Sequence, residues 1–123
     1  MHRGQARTGV ALLALLILLA CSGPATVSVA ELPAEARQVL LRIESGGNFG
    51  HPKDGAAFHN REKRLPARSS GFYREFTVKT PGQPGRGPRR IVYGSPSECY
   101  YTEDHYRTFR RIIRGPPEDG KVP

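Results

Sequence analysis

The sequence predicts an α+β domain in which one N-terminal helix packs on an antiparallel sheet of three to five strands. Three observations carry this. Helical periodicity occurs once, early, at Ala36, Val39, Leu40 and Ile43. Beyond it the apolar pattern shifts to a period of two, in aromatic and β-branched runs separated by Pro and Gly clusters. The 123 residues leave room for one small domain. A helix followed by a run of strands is the order of a segregated α+β fold.

The chain opens on Arg3 and Arg7, then an apolar run from Val10 to Ala20, VALLALLILLA. A spanning helix needs about twenty apolar residues, so this run reads as the core of an export signal and not as a membrane span. Two processing points fit. Ser28-Val29-Ala30 is a small-x-small site that gives a mature start at Glu31. Leu18-Leu19-Ala20-Cys21 has the form of a lipoprotein box, with Cys21 carrying a lipid anchor. The first yields a secreted, extracellular protein and the second a membrane-anchored lipoprotein facing outside the cytoplasm; the sequence leaves both open. With the start at Glu31, the expected layout is a leader at 1–30, a domain at 31–115 and a tail at 116–123.

The helix begins at Leu32-Pro33, where a first-turn proline loses nothing by lacking an N–H. Its apolar stripe is Ala36, Val39, Leu40 and Ile43. It ends at Ser45-Gly46-Gly47, since glycine accepts the positive φ of a C-terminal cap. Residues 46–70 read as loop, with Ala56-Ala57-Phe58 a brief strand. Residues 72–79, FYREFTVK, form a strand with Phe72, Phe76 and Val78 on one face and Tyr73, Glu75 and Thr77 on the other. Thr80 to Pro88 is a Pro/Gly turn, and Arg89–Tyr93 the next strand. Gly94-Ser95-Pro96-Ser97 turns the chain into two more strands, Cys99–Thr102 and Arg107–Ile113, with Asp104-His105 near the turn between them. The helix covers the Phe76/Val78 face, which leaves Glu75 and, if alternation holds, Arg90 on the solvent side.

The formal net charge is +8, and removal of residues 1–30 leaves about +6. Such a domain attracts polyanions, whether nucleic acid, anionic lipid or acidic glycan. Cys21 and Cys99 are the two cysteines. Cys99 alone, with His51, His59 and His105 at no ligand spacing, cannot build a metal site. No acidic cluster is present to hold the ion of a metal nuclease. No metal or cofactor is therefore expected, and Cys99 reads as a small core residue. Glu75 beside Arg86 and Arg90 has a plain reading as a surface ion pair, worth under about 1 kcal/mol. With His105 added, the set supplies a proton acceptor, a proton donor and phosphate-binding cations. Spacing alone does not choose between these.

Five segments, in order, carry a resemblance. Leu32-Pro-Ala-Glu35-Ala opens the helix. Asp54-Gly-Ala-Ala-Phe58-His-Asn60-Arg61-Glu62 follows, with Leu65-Pro66 behind it. Then come Gly71-Phe-Tyr-Arg-Glu75-Phe-Thr-Val, Thr80-Pro-Gly-x-x-x-Arg86-Gly-x-Arg89-Arg90-Ile, and Tyr100-Tyr-Thr-x-Asp104-His105-Tyr106-x-Thr-Phe109. Over roughly residues 31–113 the chain resembles the guanyl-specific microbial ribonucleases, the group of barnase and ribonuclease Sa, with one small length change after Ile91. The resemblance implies the microbial ribonuclease fold and a monomeric, metal-free endoribonuclease acting on single-stranded RNA, 3′ to guanosine. It implies Glu75 as the base that takes the ribose 2′-hydroxyl proton and His105 as the acid that protonates the leaving 5′-oxygen. Arg86 and Arg90 stabilise charge on the phosphoryl oxygens, and a 2′,3′-cyclic phosphate results. Glu62, as a buried carboxylate, would accept from guanine N1–H and N2–H₂, and adenine would leave it unpaired. Backbone at Asn60 and Arg61 would meet guanine O6 and N7, while Phe58 and Tyr106 would stack on or wall the site.

The resemblance also makes a barstar-type acidic inhibitor a natural partner. Members such as ribonuclease Sa carry a disulfide between the two ends of the domain. Here Ser28 falls near the first position and no cysteine stands at the second, which implies lower stability. His59, inside the recognition loop, adds a group whose charge changes near neutrality. The alternative reading is a non-catalytic, exported basic domain that binds RNA or other polyanions.

Overall fold

The computed structural model describes residues 24–47 and 49–115. The apolar leader run, Cys21 and the tail at 116–123 lie outside them. The first described element is a strand, β1 (Ala25–Ser28), followed by a single 3-10 turn at Val29–Glu31. The helix α1 (Ala34–Ser45) starts after Pro33, which occupies the cap position one residue ahead of where the sequence puts it. Its buried residues are Ala36, Val39 and Leu40, with Ile43 half-buried beside them. Gly46 closes it at φ 73°, and the Gly47 N–H donates back to the Arg42 carbonyl at 2.9 Å.

Five more strands follow: β2 (Ala56–Ala57), β3 (Arg74–Thr77), β4 (Arg90–Ser95), β5 (Glu98–Thr102) and β6 (Arg110–Ile113). Among the described residues the sheet has six strands in the order β1-β6-β5-β4-β3-β2, which corrects the expected three to five. All neighbours are antiparallel except β1, which runs parallel to β6. The additional strand went unread because ATVS is short and its partner is the last strand of the domain, so no local signal marks it. It lies upstream of Glu31, in the segment assigned to the leader, and it places Val27 in the core at 4% exposure.

Two apolar clusters flank the sheet. The larger joins α1 to Phe76, Val78, Ile91, Cys99, Tyr101 and Ile112. Cys99 is fully buried there as a free thiol, and burial pushes it up to about 11. The smaller cluster is aromatic and occupies the Glu75 side: Tyr73, Val92, Tyr100, Phe109 and Leu65, with Phe58, Phe72 and Tyr106 at its edge. That face is therefore partly covered and not simply solvent-facing. Phe72 belongs here and not with Phe76. The strand starts only at Arg74, so alternation does not reach Phe72, and its ring lies on Gly94 where a β-carbon would come within 2.1 Å. The final strand is likewise shorter than expected, because residues 103–109 are held as a turn. No helix among the described residues is long and apolar enough to cross a membrane.

Candidate active site

Pairing of β3 with β4 sets Glu75 opposite Val92 and Thr77 opposite Arg90. Cross-strand partners share a face, so Glu75, Thr77 and Arg90 project together, as alternation predicts. Arg86 reaches the same spot from the turn that follows β3, where Gly82, Gly85 and Gly87 all take positive φ. At Gly87 (φ 65°) a β-carbon would also press on Thr80 Oγ1 at 3.1 Å, so this glycine is needed twice over.

Glu75 is largely buried and carries its contacts on one oxygen. Its Oε1 accepts from Arg86 Nη2 at 3.0 Å and from the Tyr106 hydroxyl at 2.5 Å, and Arg90 Nε lies 3.9 Å away. Among the described residues Oε2 accepts no hydrogen bond, so one edge of the carboxylate is left without a protein partner. Arg86 is fixed from behind by its Nε bond to Thr77 Oγ1 at 2.9 Å. Arg90 is 2% exposed, with Nη1 bonded to the Gly87 and Arg89 carbonyls, both at 2.7 Å, and Nε bonded to the Tyr106 hydroxyl at 3.1 Å. These bonds leave Arg86 Nη1 and Arg90 Nη2 as donors for an oxyanion.

Tyr106 is thus more than the stacking wall the sequence suggested. Burial, followed by the hydrogen bond to Glu75, pushes its hydroxyl up to about 12, so it stays a donor at neutral pH. Its ring stacks on Phe58 with centroids 5.3 Å apart and 26° between planes. The exposed His105 ring sits with its centroid 4.9 Å from that of Tyr106. His105 and Tyr106 have φ of 59° and 73°, two adjacent left-handed residues without glycine. Such a conformation costs about 1–3 kcal/mol per residue and needs support from its surroundings. The His105 N–H donates to the Pro88 carbonyl at 3.0 Å and the Tyr106 N–H to Thr102 Oγ1 at 3.1 Å. Asp104 ties the rest, accepting from Thr102 Oγ1 (2.9 Å), Thr108 N (2.9 Å) and Thr108 Oγ1 (2.6 Å). Neither the Tyr106 bridge nor the Asp104 brace was assigned from sequence; the Thr-x-Asp-His-Tyr-x-Thr spacing was the available signal.

The loop 58–62 forms the other wall. Phe58 N–H donates to the Tyr73 carbonyl at 2.9 Å, continuing the β2 ladder. The Asn60 side chain turns into the loop, donating to the Leu65 carbonyl (2.9 Å) and accepting from its N–H (3.1 Å), at a φ of 54°. The Asn60 main-chain carbonyl accepts from the Lys63 N–H at 3.0 Å, which closes the turn. Arg61 is exposed beside it. Glu62 corrects one expectation: its side chain is 64% exposed, 3.9 Å from Arg64 Nη1, and not buried. Residues 57–62, Glu75 and Tyr106 together line one cavity of about 210 Å³. Among the described residues no group of three or more His, Cys, Asp or Glu is gathered as metal ligands.

Residues 19–113 match the family model described as ribonuclease. Guanyl-specific ribonuclease St of Saccharopolyspora erythraea is 49% identical over 92 residues, which cover 75% of this chain and 91% of that protein. Guanyl-specific ribonuclease Sa of Kitasatospora aureofaciens is 50% identical over 88 residues, covering 71% and 92% respectively. The crystal structure of ribonuclease Sa2 with guanosine-2′-cyclophosphate superposes with a TM-score of 0.70 at 43% identity, covering 75% of this chain and 98% of that one.

Proposed function

Because the chain belongs to the guanyl-specific microbial ribonuclease family, we propose that it cleaves single-stranded RNA on the 3′ side of guanosine, by transesterification to a 2′,3′-cyclic phosphate followed by hydrolysis. The observation that carries this is the shared cavity: Glu75 and Tyr106 line the same hollow as the loop 57–62. A base bound against that loop brings its own ribose and 3′-phosphate to the carboxylate.

Glu75 Oε2 removes the 2′-hydroxyl proton, while Oε1 is kept in place by Arg86 and Tyr106. The 2′-oxygen attacks phosphorus in line. The free donors of Arg86 and Arg90 meet the charge that grows on the phosphoryl oxygens. Protonated His105 gives its proton to the departing 5′-oxygen. The roles reverse in the second step, when water opens the cyclic phosphate. DNA has no 2′-hydroxyl and so no internal nucleophile. Guanine covers Glu62 and supplies two donors to it; adenine covers it and supplies none, which leaves a desolvated carboxylate unpaired.

Export belongs to the same proposal. The apolar run Val10–Ala20 directs it, and β1 favours processing upstream of Ala25, as at the Ala20–Cys21 junction. A cut after Ala30 would remove a strand whose Val27 lies in the core. The cationic rim around the cavity suits an acidic inhibitor protein as a further partner.

The test is cleavage of a defined RNA in EDTA, with product ends read by mass spectrometry. Glu75→Gln and His105→Ala should each lower kcat by about 10²–10⁴-fold, and an oligonucleotide lacking G should survive. Wild-type rates in both variants would remove the acid–base assignment.

A further inference from the structure

Tyr73 holds the recognition loop at both of its ends. Its main-chain carbonyl accepts from the Phe58 N–H at 2.9 Å, where the loop begins. Its hydroxyl donates to the Pro66 carbonyl at 2.7 Å, where the loop ends. The proton has a second acceptor in Glu98 Oε2, but that oxygen is farther off, at 3.2 Å. Tyr73 is 3% exposed, and its ring packs edge-on against Phe58, Phe72 and Tyr100. Burial pushes the hydroxyl well above the ordinary tyrosine range, so it keeps its proton at neutral pH. Tyr73 also stands two residues ahead of Glu75. It lies on the same side of the sheet, clustered with Val92, the cross-strand partner of Glu75.

The two ends of the loop differ in what else secures them. The entry belongs to the sheet: Ala56 and Ala57 pair with Glu75 and Arg74, and the Gly55 N–H donates to the Glu75 carbonyl at 2.8 Å. The exit has no ladder. Leu65 packs into the aromatic cluster there, but apolar contact has no direction. Arg64 reaches the Tyr106 carbonyl at 3.3 Å and Arg68 reaches Glu98 Oε1 at 2.9 Å, both through long, exposed side chains. A cavity of about 550 Å³ is lined by Asn60 and Lys63 of the loop and by Ser69 and Gly71 beyond it, so the loop is not packed solidly against the chain that follows. Within the loop, the two bonds between Asn60 and Leu65 keep one shape. A stiff arch joined to the sheet at one end takes its angle from the bond at the other.

We propose that the Tyr73 hydroxyl is a positioning group that sets the register between base recognition and catalysis, fixing the angle of loop 58–66 so that a guanosine held by the loop delivers its 2′-hydroxyl to Glu75. The inference rests on the ribonuclease reading and adds to it a residue that acts through the loop. Without the bond to Pro66 the loop keeps its shape and its grip on guanine but presents the ribose off line. Such displacement is costly, since about 1 Å of misplacement can lower a rate about 10²-fold. Adenine finds no donors for Glu62, so its slow cleavage does not depend on the angle of the loop.

Tyr73→Phe removes one hydroxyl and keeps the ring. Its kcat on GpU should fall by about 10–100-fold, with KM little changed. Guanosine should inhibit it as well as it inhibits wild type, and the slow cleavage of ApU should stay close to the wild-type rate. Tyr100→Phe is the control, because that equally buried hydroxyl donates to the same Glu98 oxygen at 3.1 Å and bonds no loop residue. It should cleave GpU as wild type does. In a Glu62→Ala background, Tyr73→Phe should lose most of its effect on GpU, since two residues that act through one contact are not additive. A smaller folded fraction lowers the rates on GpU and ApU alike, so the ratio of the two reports the loop. The positioning role is overturned by an unchanged kcat on GpU, by parallel losses on GpU and ApU, by loss of guanosine inhibition along with the rate, by an equal loss in Tyr100→Phe, or by full additivity with Glu62→Ala. Failure of wild type to cleave GpU at all would bring down the ribonuclease reading and this role with it. Cleavage of GpU by wild type and Tyr73→Phe at one rate sinks the positioning role alone.

Discussion

Asp104 braces the turn that carries His105 and Tyr106 through its hydrogen bonds from Thr102 and Thr108. Burial pushes its carboxyl up, but hydrogen bonds from the Thr108 hydroxyl and N–H, and from Thr102, outweigh this and hold it down to about 2. An unfolded aspartate titrates near 3.9. A depressed carboxylate contributes stability that is fully present above its unfolded value and is lost as pH falls through its folded one. Asp104→Asn should therefore cost about 1–3 kcal/mol at neutral pH, and the gap to wild type should close between pH about 4 and about 2. Urea unfolding midpoints at pH 7 and pH 2.5 measure this. A gap equally wide at both pH values would mean that the charge of Asp104 does not brace the turn.

At the scale of elements, sequence reading succeeded where a local pattern determines the outcome. The stripe at Ala36, Val39, Leu40 and Ile43 located α1, and Gly46 marked its end. Alternation across Glu75 and Thr77 placed both on the face where Arg86 and Arg90 meet them. It failed where the deciding neighbour was distant. Phe72 changed face because of Gly94, twenty-two residues on. Tyr106 bridges Glu75 and Arg90 only because two left-handed residues turn it inward, and no periodicity reports that. β1 was invisible because it needs β6, at the far end of the domain. This strand gives a prediction of its own. A chain beginning at Glu31 loses the pairing of Ala25–Ser28 with Arg110–Ile113 and uncovers the core beside Val27. It also loses the bond from Ser28 N–H to Glu31 Oε1 at 2.9 Å. Burial of one valine contributes about 1.5–3 kcal/mol and each ladder bond about 1 kcal/mol. Compared with a total of about 5–15 kcal/mol for a small domain, that loss is a large share. Guanidinium unfolding of chains starting at Pro24 and at Glu31 should differ by several kcal/mol. Equal midpoints would show that β1 is dispensable and would free the Ala30–Glu31 junction as a processing point.

For the molecule as a whole, affinity for RNA and choice of base come from different physics, and salt separates them. The net charge, about +6 once the leader with Arg3 and Arg7 is removed, acts on every phosphate within reach, whatever the sequence. Each phosphate neutralised on a single strand contributes about −0.7 to the slope of log affinity against log salt. In the reading proposed above the base, by contrast, meets Glu62 and loop main chain at hydrogen-bond range, well inside the Debye length, where salt screens little. Raising salt should therefore lower kcat/KM on long RNA steeply, with a slope set by how many phosphates are engaged, while the ratio of GpU to ApU cleavage stays nearly constant. Initial rates on both substrate types across a salt series test the two halves together. A ratio that collapses in step with the polymer rate would mean that guanine is selected by the field of the surface and not by hydrogen bonds in the loop. A polymer rate indifferent to salt would mean that the arginines and lysines outside the cleavage site never engage the backbone, and that the molecule's charge serves something other than RNA binding.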